Sequence, residues 1–141
     1  MTDVHKKLLY SSLDTLGEVV SLQSSLSRIE PDIAVIHLSG SLSAWPETLP
    51  GLPHIEELLQ QSEKKVILDL SGVDHIDSSG LQVIFDAFSQ VRKAGGALRL
   101  AGANERVARP FKLTRLDTIL SFYPNVTAAC QEFTIVAQAS D

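Results

Sequence analysis

The chain has 141 residues, of which 44% are hydrophobic and 21% are charged, and it carries a formal net charge of −5. This length and composition predict one compact domain and exclude a disordered or fibrous chain. The acidic balance disfavours binding to nucleic acid or to an anionic membrane, and a lone cysteine, Cys130, excludes an internal disulfide. No apolar run reaches the ~20 residues of a membrane span, so we expect no transmembrane helix and a cytoplasmic location.

Residues 1–24 differ from the rest of the chain and are predicted to form an extension of the domain. Four of their apolar residues recur at helical spacing: Leu9, Leu13, Leu16 and Val20. The extension is expected as a helix or as an extra strand, and it either packs on its own domain or forms a homodimer contact. Residues 25–141 are expected to form the domain itself.

Two short strands are predicted between Ser27 and Leu38, with a turn at Glu30-Pro31-Asp32 because proline and flanking acids favour turns. The following stretch holds three prolines within eight residues, which excludes a continuous helix before about Pro53. Pro53 suits the first position of a helix. The apolar face of that helix is expected to consist of Ile55, Leu58 and Leu59.

The most informative stretch is an apolar strand that leads through a polar segment into an amphipathic helix. The strand is predicted from Val66 to Leu70, and the pair Ser71-Gly72 indicates a turn after it. The helix is predicted after Gly80, because five apolar residues recur on one face: Leu81, Ile84, Phe85, Phe88 and Val91. Gly95-Gly96 is typical of its C-terminal end.

Asp74, His75, Asp77, Ser78 and Ser79 are predicted to lie in a polar loop between that strand and that helix. Side-chain oxygens at this point most often cap the helix, so one of the serines is expected to serve as a cap. The other interpretation is a ligand site, because α/β proteins bind ligands after the carboxyl ends of their strands and a helix N-terminus favours phosphate. The pattern alone leaves both interpretations open.

A basic stripe is predicted on a later helix, from Asn104 to Leu116. Arg106, Arg109, Lys112 and Arg115 recur every three residues, opposite the apolar residues of this segment. Pro110 predicts a kink or a short 3-10 segment. The stripe is either a solvated face or a contact for an acidic part of a partner protein.

The residues around Ser78 and the glycine segments that follow disfavour catalysis, metal binding and cofactor binding. Ser78 would need His75 as its base, but the glycine that precedes the serine of a nucleophile elbow is missing. A metal site built from Asp74, His75 and Asp77 is disfavoured because adjacent side chains of an extended segment point to opposite faces. Gly95-Gly96 and Gly102-Ala103-Asn104 match neither a P-loop nor a complete Gly-x-Gly-x-x-Gly motif for nucleotide binding. We therefore expect no enzyme activity, no catalytic residue, no metal and no cofactor.

The order of these elements resembles the STAS domain, in particular the anti-sigma factor antagonists of bacterial partner-switching systems. The resemblance rests on Asp77-Ser78-Ser79-Gly80-Leu81 after a strand, on Ile33 to Gly40 upstream and on Gly95 to Gly102 downstream, and it covers about residues 27–136. It implies an α/β single domain with a mixed sheet of about 4–6 strands. In that fold an N-terminal antiparallel pair is followed by parallel strands, and the helices pack mainly on one face.

The resemblance also implies a regulatory protein. Such a protein binds an anti-sigma factor that is a serine protein kinase, is released when Ser78 is phosphorylated, and is reset by a PP2C-type phosphatase; Ser79 is the fallback phosphoacceptor. The implied partner contacts are Asp74, His75, Asp77, Ser78, Ser79, Gly80, Leu81, Gln82, Arg109 and Arg115. A phosphate on Ser78 is expected to face the backbone N–H groups of Ser79, Gly80 and Leu81.

Gly40-Ser41-Leu42-Ser43 stands where the family commonly has Gly-Glu-Leu-Asp, so two carboxylates near the implied phosphoacceptor are missing. STAS domains also occur as scaffold subunits of signalling assemblies and as accessory subunits of lipid transport. Those proteins act through protein contacts without a phosphoswitch, and this function is the alternative.

Overall fold

A computed structural model describes residues 22–42, 52–131 and 133 of the chain. Its five strands form one sheet in the order β1-β2-β3-β4-β5. The strands are β1 (Gln23–Ile29), β2 (Ile33–Leu42), β3 (Lys65–Ile76), β4 (Ala97–Ala101) and β5 (Ser121–Tyr123). β1 and β2 are antiparallel and the remaining pairs are parallel. The predicted mixed sheet is confirmed.

Four helices accompany the sheet within the described residues: α1 (Ile55–Gln60), α2 (Ser78–Lys93), α3 (Glu105–Leu113) and a fourth helix, α4, over 126–131. A 3-10 turn, Leu116–Thr118, lies between α3 and β5. Most of the predicted extension, 1–21, and the proline-rich stretch 43–51 lie outside the described residues.

The two faces of the sheet carry cores of different size. Because side chains alternate along a strand, Ile36 and Leu38 of β2 face the larger core, which also contains Ile84 of α2 and Phe111 of α3. Val35 faces the smaller core. The other buried members of the smaller core are Ile33, Ile67, Ala101, Ala129 and Phe133. Thus helices pack mainly on one face, and the C-terminal segment covers part of the other.

β3 is longer than predicted, because Ser71-Gly72 does not form a turn. The pairing of β2 with β3 shifts between His37 and Ser39 and the strand then continues to Ile76. A Cβ atom on Gly72 would lie 2.8 Å from the Cβ of Ser39, so the small residue accommodates this irregularity. Consequently Asp74 and His75 belong to the strand itself, and the expectation that they lie in a loop is wrong.

The boundaries of the helices differ from the prediction in two places. α1 begins after His54, so Pro53 precedes the cap residue instead of occupying the first helical position. α3 ends at Leu113 and contains Pro110, and the 3-10 turn follows the helix, after Arg115, whose φ is 64°.

Candidate functional site

The candidate site lies where β2 and β3 end side by side and α2 begins. Ser41 pairs with His75 and Leu42 with Ile76, so the end of β2 lies directly beside the end of β3. α2 starts at Ser78, two residues after β3 ends. The polar residues of the Asp-Ser-Ser-Gly segment therefore stand at the carboxyl ends of parallel strands, where α/β proteins place functional groups.

Gly80 allows the first turn of α2 to lie against the end of β2. A Cβ atom at this position would lie 2.1 Å from the carbonyl oxygen of Leu42 and 2.7 Å from Cγ1 of Ile76. Both distances are far below van der Waals contact. The glycine of the segment is thus required by packing, and it positions the two serines relative to the strand ends.

Asp77, and neither of the two serines, caps α2. Its Oδ1 accepts hydrogen bonds from the backbone N–H groups of Ser79 at 2.9 Å and Gly80 at 3.2 Å. The backbone carbonyl of Asp77 accepts from the N–H of Leu81 at 2.9 Å. The three N–H groups that were expected to face a phosphate are therefore already bonded, and that expectation is wrong.

The two serine side chains differ in exposure. Ser78 is exposed, whereas Ser79 is half-buried. Since a kinase has to reach the hydroxyl oxygen that it modifies, Ser78 is the more accessible acceptor. Neither hydroxyl has to serve as the cap, because Asp77 does so.

The remaining residues of the segment fall into an exposed and a buried group. Asp74, His75 and Gln82 are exposed, as Ser78 is, and we call these four residues of the stretch 74–82 the Ser78 face. Gly80 is buried and Leu81 is only 8% exposed, so both belong to the interior of the domain. Their prediction as partner contacts stays a prediction, and their structural role is to support the turn.

The last residues of β2, Gly40 to Leu42, lie beside the end of β3, so the turn expected at this point is strand as far as Leu42. Gly40 has a φ of 97°, a conformation that favours glycine. Ser41 lies opposite His75 and is half-buried, while Ser43 lies outside the described residues. The side chain next to His75 on β2 is thus a short neutral hydroxyl.

The basic stripe is exposed along α3 and just beyond it. Arg106, Arg109, Lys112 and Arg115 are all exposed, and Val107 and Phe111 are buried on the opposite side. Asn104 caps the helix by accepting from the N–H of Val107 at 2.9 Å, which confirms the predicted start. α3 contacts both β3 and α2, the two elements that carry the residues of the Ser78 face.

A second polar cluster, which the sequence patterns did not indicate, spans three neighbouring strands. Ser27 of β1, His37 of β2 and Asp69 of β3 are joined by hydrogen bonds of 2.8 Å each. These residues are 10 and 32 positions apart, so no local pattern links them. Only the register of the strands could have indicated that they meet.

Within the described residues, no group of three or more His, Cys, Asp and Glu side chains is arranged to hold a metal ion. The described helices include none that is long and apolar enough to cross a membrane.

Comparison with known proteins points to one family. The STAS domain profile matches residues 26–129. The anti-sigma-B factor antagonist of Bacillus subtilis is 41% identical over 101 residues, which are 72% of this chain and 90% of that protein. A protein of Thermotoga neapolitana, named as a candidate anti-sigma factor antagonist, is 38% identical over 77 residues, or 55% of this chain and 68% of its own length.

A solved structure agrees with the sequence comparisons. The crystal structure of a candidate anti-sigma factor antagonist from Thermotoga maritima superimposes with a TM-score of 0.70 at 28% identity. The match covers 77% of this chain and 92% of the Thermotoga chain.

Proposed function

This chain belongs to the STAS domain family, and from that premise we propose that it is an anti-sigma factor antagonist switched by phosphorylation of Ser78. Unphosphorylated, it binds an anti-sigma factor that is also a serine protein kinase, and this binding releases a sigma factor for transcription. Phosphorylated, it leaves the kinase, and a PP2C-type phosphatase restores the binding form. It acts in the cytoplasm, as a binding protein.

The observation that carries the proposal is the environment of the Ser78 hydroxyl. Ser78 is exposed at the first position of α2, and Asp77 has already satisfied the N–H groups that a cap would serve. This hydroxyl therefore has no structural task in the helix start. Modification of Ser78 should leave the fold intact, as a reversible switch requires.

The charge that phosphorylation adds explains the release. A phosphate brings about −1.5 to −2 charges and three acceptor oxygens. The helix dipole stabilises it by about 0.3–1 kcal/mol. Because the N–H groups of Ser79, Gly80 and Leu81 are occupied, we expect the phosphate on the outer side of the turn, close in the chain to the carboxylates of Asp74 and Asp77.

The free energy that it costs to bury this charge in the complex is larger than the stabilisation that the helix dipole provides. An uncompensated charge at the centre of a protein interface commonly costs about 3–5 kcal/mol. Since about 1.4 kcal/mol corresponds to a tenfold change in affinity, the phosphorylated form is expected to bind at least a hundredfold more weakly.

The proposed docking surface has a centre and a rim. The centre is the Ser78 face, which lies on rigid elements because Asp74 and His75 belong to β3. The rim is the exposed part of the basic stripe, with Arg109 and Arg115 as contacts for acidic groups of the kinase. Rim charges act mainly on the rate of association and on its salt dependence.

The proposal is tested by capturing the kinase on this chain and then measuring whether that kinase phosphorylates the chain. The full chain is used to capture the kinase from the source cells, ATP is added, and the intact mass is measured. Wild type is expected to gain one phosphoryl group, Ser78→Ala to gain none, and Ser79→Ala, the matched control, to gain one.

Two outcomes would contradict the proposal. The first is full phosphorylation of Ser78→Ala with none of Ser79→Ala, which would assign the switch to Ser79. The second is recovery of scaffold or transporter subunits alone, with no mass gain in any variant.

A further inference from the structure

Ser27, His37 and Asp69 form a continuous hydrogen-bonded chain across β1, β2 and β3, away from the Ser78 face. Ser27 Oγ lies 2.8 Å from His37 Nε2, and His37 Nδ1 lies 2.8 Å from Asp69 Oδ2. The backbone N–H of Ser71 donates to Asp69 Oδ1 at 3.1 Å, which holds the carboxylate in place. A hydroxyl, an imidazole and a carboxylate linked in this order are the parts of an activated serine nucleophile.

The hydrogen-bond chemistry fixes the direction of proton transfer. An ionised carboxylate only accepts, so His37 donates from Nδ1 to Asp69, and when the imidazole is neutral its Nε2 is the acceptor for the hydroxyl of Ser27. Burial alone would raise the pKa of Asp69, but hydrogen bonds from His37 and Ser71 outweigh burial and hold that pKa below its usual range. Asp69 is therefore ionised at neutral pH, and Nε2 is the basic nitrogen next to Ser27.

The cluster is accessible, unlike a second serine–histidine pair in the chain. The His37 side chain is 39% exposed, whereas the His54 side chain, which lies 3.3 Å from Ser24, is fully buried. A buried pair serves packing and hydrogen-bond satisfaction. A partly exposed imidazole can be solvated by water, so the cluster around His37 is not needed merely to satisfy a buried polar group.

A small recess opens beside His37, between β1 and β2. Its volume is about 70 Å³, and it is lined by Gln23, Ser24, Ser25, His37, Leu38 and Ser39. Its lining includes His37 and not Ser27, so the recess leaves room for a small group beside the base.

We propose that Ser27 is an activated nucleophile that accepts a short acyl group from an activated acyl ester, with His37 as its base and Asp69 as the residue that positions His37. The Ser27 oxygen forms a bond to the acyl carbon while its proton passes to Nε2 of His37. The bond between the acyl carbon and the leaving oxygen breaks, and His37 returns the proton to that oxygen. The product is an ester on Ser27 and a free alcohol or phenol, without any oxidant or reductant.

The experiment uses the full chain and p-nitrophenyl acetate as the probe. Release of p-nitrophenol is followed by absorbance, and peptide mass spectrometry locates the acetyl group. The wild type is expected to acquire one acetyl group on Ser27. Ser27→Ala should acquire none there, and His37→Gln should react about a hundredfold or more slowly, as is usual when a general base is removed.

Control variants distinguish a loss of reactivity from a loss of folding. They also test whether Asp69 affects the reaction or only the structure. Ser121→Ala removes an exposed serine at the opposite edge of the sheet and should react like wild type. Asp69→Asn should slow acetylation, and Asp69→Glu should restore part of the rate. Circular dichroism confirms that each variant is folded.

The proposal is overturned if folded Ser27→Ala or folded His37→Gln is acetylated at the wild-type rate. It is also overturned if wild-type Ser27 is modified no faster than Ser121. Labelling confined to lysine side chains would contradict it as well.

Discussion

Replacing Gly80 with alanine tests the packing that positions the Ser78 face. The added Cβ would lie 2.1 Å from the Leu42 carbonyl oxygen and 2.7 Å from Ile76 Cγ1. The carbonyl is backbone of the last residue of β2, which pairs with Ile76 of β3, so it cannot swing away as the end of a flexible side chain can. Either α2 moves outward or the end of β2 distorts.

The expected loss follows from two opposing effects. Overpacking a well-packed site typically costs about 1–3 kcal/mol, and a conflict with backbone belongs at the upper end of that range. Alanine is the better helix former by roughly 0.5–1 kcal/mol. The free energy of unfolding of Gly80→Ala should therefore fall by about 2 kcal/mol or more.

Urea denaturation of wild type and Gly80→Ala measures this loss, and Gln90→Ala is the matched control. Gln90 is an exposed residue of the same helix, so its replacement should change the free energy by no more than about 0.5 kcal/mol. If Gly80→Ala were as stable as the wild type, α2 would not lie against Leu42 as described. The account of how the serines are presented would then be wrong.

Three further perturbations test the cap, the core and the polar cluster. Asp77→Ala should lower the free energy of unfolding in urea by about 1 kcal/mol and Asp77→Asn by much less, because asparagine is also a good cap. Phe111→Ala should lower it by about 3–5 kcal/mol, since Phe111 is fully buried and its ring packs edge-on against Phe122 with centroids 5.0 Å apart. Because the folded-state pKa of Asp69 lies below its usual range, its stabilising contribution is present above about pH 4 and is lost as the pH falls through the folded-state value. Urea unfolding of Asp69→Asn should consequently show a smaller loss of stability on acidification than the wild type, and equal losses would contradict the pairing with His37.

The elements that the sequence predicted well have local signals. α2 shows apolar residues at helical spacing and ends in glycines that satisfy its last carbonyls: Gly95 has a φ of 88°, and the N–H of Gly96 bonds to the carbonyl of Val91 at 2.9 Å. β4 follows at Ala97. Periodicity and the unusual backbone freedom of glycine act within a few residues, so the sequence alone reveals them.

The elements that were predicted poorly depend on distant partners. Ser71-Gly72 resembles a turn in sequence, but pairing with β2 absorbs the irregularity and extends β3. The choice of Asp77 over Ser78 as the cap depends on its extended backbone, with φ −125° and ψ −170°, which the end of β3 imposes. Residue type alone cannot distinguish three adjacent oxygen-bearing side chains.

The polar cluster around His37 shows that a functional site, too, cannot be predicted from sequence when its residues are distant in the chain. Ser27, His37 and Asp69 are ordinary polar residues of three strands, and no local sequence pattern sets any of them apart. Their contact arises from the antiparallel register of β1 with β2 and the parallel register of β2 with β3. Sequence analysis found the Ser78 face because its residues lie within one short stretch of the chain, and it missed this cluster because Ser27, His37 and Asp69 are far apart in sequence.

The affinity of the recovered anti-sigma factor kinase for the two forms of this chain tests the central claim most directly. Isothermal titration would compare the unphosphorylated full chain with the chain that is stoichiometrically phosphorylated on Ser78. The account predicts that the phosphorylated form remains folded and binds at least about a hundredfold more weakly, because the added charge has no free donor in the turn. Equal affinity of the two folded forms would contradict it.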